Sequence, residues 1–237
     1  MVRLFFLLVL HCATAQPAQA QHTFELQFEV RYGLFHIADI AMQARETPQA
    51  YAVTGQVVSA GLVHLLRDFH FDLSVVGLRD GDTPRPRHYV GDADTGHRRV
   101  EVEMRYPNDV PTLVRIAPAE PPGPWVIEPA EQVGTVDLMT ALYRIVRPRG
   151  VETLCDWSVE LFDGRRRSRL LLDAPHHEDG RVICTGAYQR IAGYPPDDLQ
   201  DYRSLPFQLT FAPFDGRNWQ LARIVTQTPY GRMRIIR

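Results

Sequence analysis

From Thr23 to Tyr32 the chain alternates without a slip: Phe24, Leu26, Phe28, Val30 and Tyr32 are apolar or aromatic, with Glu25, Gln27, Glu29 and Arg31 between them. A two-residue period puts the two sets on opposite faces of a strand, so this segment predicts a half-buried β-strand. AYAVTGQVV, FHFDLSVVG, RRVEVEMRY, TLVRIA, LPFQLTF, NWQLARIVTQ and GRMRIIR read the same way. Asp-Gly pairs begin at Asp80, Asp163, Asp179 and Asp215. Asp-Gly supplies the positive φ angles of tight hairpin turns. Short strands punctuated this often predict an all-β fold: a strongly curved antiparallel sheet, barrel-like or spiral.

Two segments follow a helical period instead. SAGLVHLLRDF spaces Leu62, Leu65, Leu66 and Phe69 along one helix face, with Ser59 as a candidate N-cap. GTVDLMTALYRIVR does so more strongly: Leu138, Leu142 and Ile145 make a stripe flanked by Met139 and Val146, and Pro148 stops the helix. Thr135 is the expected cap, and Asp137 suits the positive helix N-terminus. One or two short helices in an all-β chain are expected to cap or plug the open side of the curved sheet. Trp157, Leu138, Leu142 and Tyr143 are then the candidates to line an apolar ligand site in its interior, or simply to fill its core. The Pro-rich APAEPPGPWVIEP before this helix reads as an extended surface connection.

CDWSVELFDGRRRSRLLL concentrates three arginines around one Asp-Gly pair. A two-residue turn there sets Phe162 opposite Arg165 and Glu160 opposite Arg167. Trp157, Val159, Leu161, Leu170 and Leu172 share the inner face, and Arg165, Arg167 and Arg169 the outer one, across from Glu160 and Asp156. This predicts an arginine face turned to solvent and partly neutralised in place, rather than an anion site.

Composition adds compartment more than activity. The first residues, MVRLFFLLVLHCATAQPAQAQ, carry a short basic start, an apolar run and small-residue cleavage sites after Ala15 and Ala20. This is the pattern of a secretory signal peptide over residues 1–20, followed by a single domain over 21–237. The apolar run is well short of the roughly 20 residues a membrane span needs. A lipid anchor on Cys12 would want a small residue at His11. All 26 Lys+Arg residues are arginine, which points to a G+C-rich bacterial genome and hence to the periplasm. A net charge of −2 gives no general attraction to nucleic acid. Hydrophobic content of 45% is ample for a core.

With Cys12 in the leader, Cys155 and Cys184 remain as a pair for which a disulfide is the expectation in an oxidising compartment. A regular hairpin at Asp179-Gly180 sets Cys184 opposite Pro175, two strands from Cys155 and at least ~9.6 Å away in a flat sheet. A disulfide needs Cα atoms within roughly 4.4–6.8 Å. Either APHHEDG widens and changes the register, or the sheet coils hard there.

Motifs for chemistry are weak. Asp94-Thr95-Gly96 has the aspartic-protease tripeptide but polar flanks and no second copy. A calcium loop from Asp92 would need glycine where His97 stands. HHED at His176 packs its ligands too closely in a turn to converge on one ion. A hydrolase built from His88, His97, Asp92 and Asp94 is the remaining enzymatic reading, and no nucleophile motif supports it. Neither cofactor nor metal is expected.

The segments FEVRYGLFHIADIAMQ, GQVVSAGLVHLLRDF, PRPRHYV, GTVDLMTALYRIV, CDWSVELFDGRRR and CTGAYQRIAGY occur in an order that resembles the DUF3108 family of exported bacterial proteins, a domain of unknown function. The resemblance implies a periplasmic, β-rich protein and carries over no functional residue. The expectation is a non-catalytic cell-envelope protein binding an apolar ligand or lipid, with a scaffold or partner-binding module as the alternative.

Overall fold

The computed structural model describes residues 21–66, 68–119, 123–201, 203–228 and 231–237. The leader reading on residues 1–20 lies outside them. Seven strands come first: β1 (His22–Tyr32), β2 (Phe35–Glu46), β3 (Ala50–Ser59), β4 (His70–Asp80), β5 (Thr83–Asp94), β6 (Arg99–Arg105) and β7 (Thr112–Ala117). Helix α1 (Gly61–Leu66) joins β3 to β4, and α2 (Leu138–Val146) lies in the long connection after β7. The second half contains β8 (Trp157–Phe162), β9 (Arg167–Leu172), β10 (His176–Glu178) and β11 (Arg181–Ala192). After α3 (Pro196–Asp201) come β12 (Ser204–Pro213), β13 (Trp219–Thr228) and β14 (Gly231–Ile236).

All fourteen strands form one antiparallel sheet, ordered β7-β6-β5-β4-β3-β2-β1-β14-β13-β12-β11-β9-β8, with β10 paired to β11. Each half is an up-and-down meander, and the first and last strands pair in the middle, Val30 opposite Ile235. The sheet is therefore curved and barrel-like but not closed, its two ends being β7 and β8. The alternation behaves as expected: Phe24, Leu26, Phe28 and Val30 are buried, while Glu25, Gln27 and Glu29 are exposed. Among the described residues no helix is long and apolar enough to cross a membrane.

Helix α2 plugs the interior. It packs against β3, β4 and β5 of the first half and β8 and β13 of the second. Met139, Ala141, Tyr143, Ile145 and Val146 are all buried in one core that spans both halves. Large apolar side chains buried this way contribute about 1.5–3 kcal/mol each. Gly55 on β3 makes room for the helix, since a Cβ there would stand 2.9 Å from Cε of Met139. The cap is Asp137 rather than Thr135: its Oδ1 accepts from the Thr140 amide at 2.8 Å, whereas the Thr135 hydroxyl donates to the Gln132 carbonyl. At α1, Ser59 closes the loop after β3, donating to Asp68 at 2.7 Å and accepting from the Phe69 amide. Leu62, the first member of the stripe the spacing suggested, is exposed there, while the side chains of Leu65 and Leu66 lie outside those described.

The arginine hairpin forms in a different register. Phe162 faces Arg167, not Arg165, because residues 163–166 make a four-residue turn tied by the Asp163 carboxylate to the amides of Arg165 and Arg166. The shift is by two, so the faces survive while the partners change: Glu160 now faces Arg169. It receives Nη2 of Arg169 at 2.6 Å and also binds Arg167. Burial opposes ionisation of Glu160, but Arg169 and Arg167 outweigh it and hold the carboxyl below the usual range. Arg166 stacks on Tyr194, and Arg165 donates to the Pro118 carbonyl. Gly164, at φ +95°, sits against the inner side chains of β6 and β7, where a Cβ would come 3.0 Å from Val102. The turn thus docks across the gap between the sheet's two ends.

Cys155 and Cys184 form a disulfide, with Cα atoms 5.5 Å apart. The tight turn at Asp179-Gly180 does set β10 on β11 in the expected register. The strand facing β11 is broken, however: β9 stops at Leu172 and β10 begins at His176. Cys155, just ahead of β8, reaches Cys184 where no regular strand intervenes. With the cysteines 29 positions apart along the chain, the loop-closure term is about 3–4 kcal/mol. Urea unfolding of the oxidised protein against the Cys155→Ala/Cys184→Ala double variant is expected to show that loss; equal midpoints would remove the bond from the stability of the fold.

Candidate functional site

Of the four side chains proposed to line an interior site, the structure brings two together. Tyr143 and Trp157 share a cavity of about 220 Å³ with Arg144, Arg147 and Arg149, at the C-terminal end of α2. Leu138 is exposed and Leu142 is packed against the core; neither belongs to that cavity. A second cavity, of about 340 Å³, runs along the other side of Arg144 past Ala141, Val136 and Val159. The two share Pro84 and Arg144, so they adjoin in the cleft region between the start of β5, α2 and β8.

Local sequence explains the position of each group. Arg144 lies in the last turn of α2, Arg147 is its C-cap and Arg149 follows Pro148, which bars further helix. The guanidinium of Arg144 lies 4.2 Å above the Trp157 ring, a cation–π contact. The indole N–H of Trp157 is fixed by the Leu154 carbonyl at 3.0 Å. Arg147 pairs with Asp82 in the β4–β5 turn. Arg149 is 5% exposed, its backbone pairs with Trp219, and its Nε and Nη2 donate to the carbonyls of Thr153 and Leu154. Its Nη1 has no hydrogen-bond partner. Burial, then Arg147 and Arg144 nearby, push its pKa down to about 9, so it remains cationic at neutral pH.

Deeper in, a polar chain ties α2 to the sheet. The Thr140 hydroxyl donates to Asp137 at 2.7 Å and is bonded to the Tyr51 hydroxyl at 2.8 Å. Tyr51 stacks on Tyr143 at 4.6 Å, and Tyr143 donates to Glu46, which Arg79 also faces at 3.5 Å. Asp137 is fully buried, and that burial pushes its pKa up to about 6 despite the bonds from Thr140.

The residues of the hydrolase reading lie elsewhere. His88 bonds Glu103 at 2.8 Å, and Asp92 is held by Nε of Arg99 at 2.9 Å, which lowers its pKa. The carboxylate of Asp94 accepts from the Gly96 amide in the turn that also contains His97. Asp92 borders a polar groove with Glu25, Gln43, Gln56 and Asp72, not the cleft over α2. The groups HHED and Asp92/Asp94/Glu103 assemble no metal cluster among the described residues. The arginines of the cleft were the signal that sequence reading passed over. In RIVRPRG the readable feature is Pro148, which ends the helix, and nothing there announces a cluster of arginines.

A family model described as "Protein of unknown function (DUF3108)" matches residues 27–178, a span that holds α2, Trp157 and the three arginines. Among solved structures, a β-barrel-like protein of domain of unknown function DUF1849 from Brucella abortus is similar at a TM-score of 0.49 and 11% identity. The alignment covers 92% of this chain and 95% of that one. No curated protein matches the sequence.

Asp137 gives the fold a pH dependence with a definite sign. Its folded value of about 6 stands above the ordinary 3.8. Stability from this group is therefore complete below about pH 4 and is lost as pH rises through 6. Asp137→Asn keeps an acceptor for the cap and removes the titration. Its unfolding free energy in urea relative to the parent is expected to rise between pH 4 and pH 7, by up to roughly 3 kcal/mol. A difference that stays flat with pH would contradict the shift.

Proposed function

The chain belongs to the DUF3108 family of proteins of unknown function, and we propose that it is an exported, single-domain, non-catalytic protein of the bacterial cell envelope that binds an amphiphile in the cleft over α2. The observation that carries this reading is the pair of adjoining cavities between Pro84, α2 and β8. One is lined by Val136, Ala141 and Val159 alongside Thr140, Ser158 and Glu160, and the other by arginines around Trp157. An apolar run leading to a few convergent polar groups is the common form of a small-molecule site, and together the cavities reach the size such sites take, roughly 300–1,000 Å³. The rest of the interior is filled by α2, so the ligand site is the cleft and not the whole lumen of the sheet. Export is supported by the leader pattern and by the disulfide, a bond typical of oxidising compartments. Native mass spectrometry of protein purified from a periplasmic fraction is expected to show a bound apolar ligand. Val159→Trp, which fills the apolar cavity, is expected to lose that ligand while keeping its circular dichroism. Repeated absence of any adduct from the parent protein, or its recovery only in the cytoplasm, would end this reading.

A second reading, a partner-binding module, is favoured by one feature. The outer edge of β7 carries no strand among the described residues, and Val114 on it and Trp125 and Val126 beyond it are exposed. An unpaired edge is a template for strand addition. A photo-crosslinker at position 114 in living cells is expected to capture the same partner repeatedly; random or absent products would dismiss the module.

A further inference from the structure

The arginine end of the cleft has a chemistry of its own. Among the described residues, Asp82 on Arg147 is the one carboxylate ion-paired to these three guanidinium groups. Glu152 and Asp156 border the same cavity, but both are exposed to water. Arg149 has a different setting from a cation placed to complement a helix dipole. It lies beyond α2, bonds the carbonyls of the 151–154 turn, and keeps one buried N–H group, Nη1, unpartnered. A buried charge of this kind is costly unless it is paired. Arg144 lies over the Trp157 ring, and among the described residues no side chain or carbonyl takes a hydrogen bond from its guanidinium donors.

We infer that the cavity shared by Arg144, Arg147 and Arg149 is an oxyanion pocket, holding the phosphate or carboxylate head of an amphiphile whose apolar part runs past Arg144 along Val136 and Val159. This rests on the amphiphile reading of the cleft and adds the class of head group. Guanidinium forks match tetrahedral and planar oxyanions with paired, charge-assisted hydrogen bonds. Asp82, already engaged by Arg147, sets the limit on charge: the pocket presents an excess of cation without being a general basic surface.

The test is calorimetric titration of the mature chain with octyl phosphate, octyl glucoside and inorganic phosphate, all below micellar concentration. Octyl phosphate is expected to bind at least about tenfold more tightly than octyl glucoside, and Arg144→Gln to weaken it by about tenfold or more, as loss of a charge-assisted bond does. Among the described residues the Arg144 guanidinium makes no hydrogen bond; its variant gives up the contact with the Trp157 ring, and unchanged circular dichroism is the check on it. Equal binding of the two octyl compounds would overturn the oxyanion pocket and leave the amphiphile reading standing. Octyl phosphate binding that is unchanged in Arg144→Gln would overturn the pocket as well. Inorganic phosphate binding as tightly as octyl phosphate would keep the pocket and remove the amphiphile, and no binding by any of the three would remove both.

Discussion

A meander of fourteen strands whose first and last members pair has its free ends in mid-chain, and something in mid-chain must occupy the space between them. Here that is α2. The helix is held at its N-terminus by Asp137 and Thr140, at its centre by Tyr51 and Tyr143, and at its C-terminus by Arg147 on Asp82. Tyr51 belongs to β3, Glu46, bonded by Tyr143, ends β2, and Asp82 lies in the β4–β5 turn, so the curvature of the sheet and the position of the helix are set together. Remove the helix and the inner faces of β3 and β8 have nothing to pack against; flatten the sheet and the helix loses one wall. The cleft is a by-product of this arrangement, the space left where a nine-residue helix is too short to fill the opening beside β5.

Much of the fold was legible because period two is a strong signal when the inner residues are large. Phe24, Leu26 and Phe28 announce β1 without help. β2 was harder: its inner positions Ala38, Ile40, Met42 and Ala44 include two alanines, and Ala41 on the outer face is no more polar. β5 was obscured by Pro84 and Pro86. β6 pairs with β5 only from His88 onward, so the prolines lie on a stretch with a free flank, where strands tolerate them. The hairpin at Asp163 shows the limit of turn rules. Asp-Gly predicted the turn, but the docking of Gly164 against Val102 and the bonds to the Asp163 carboxylate chose four residues over two.

The site was legible only in part. Trp157 and Tyr143 were singled out for being apolar and near α2, and they do meet, yet the cavity they share is dominated by arginine. Nothing in a periodicity tells that Arg149 will be buried, because its burial follows from the strand–strand bridge to Trp219, a contact 70 positions away along the chain. The same applies to Leu138: its place in the stripe is correct by spacing, but a helix surrounded on several sides chooses its exposed residue by where the wall is missing.

The pairing of β1 with β14 also fixes an order of events. Strand β1 waits for β14, far along the chain, and until Gly231–Ile236 is available the row of peptide groups from Glu29 to Tyr32 has no mate on that side. Until that pairing forms the seam stays open, with Glu29 and Arg31 along it as charged guards against the wrong neighbour. Assembly ends, as a zip fastener does, at the point where it began.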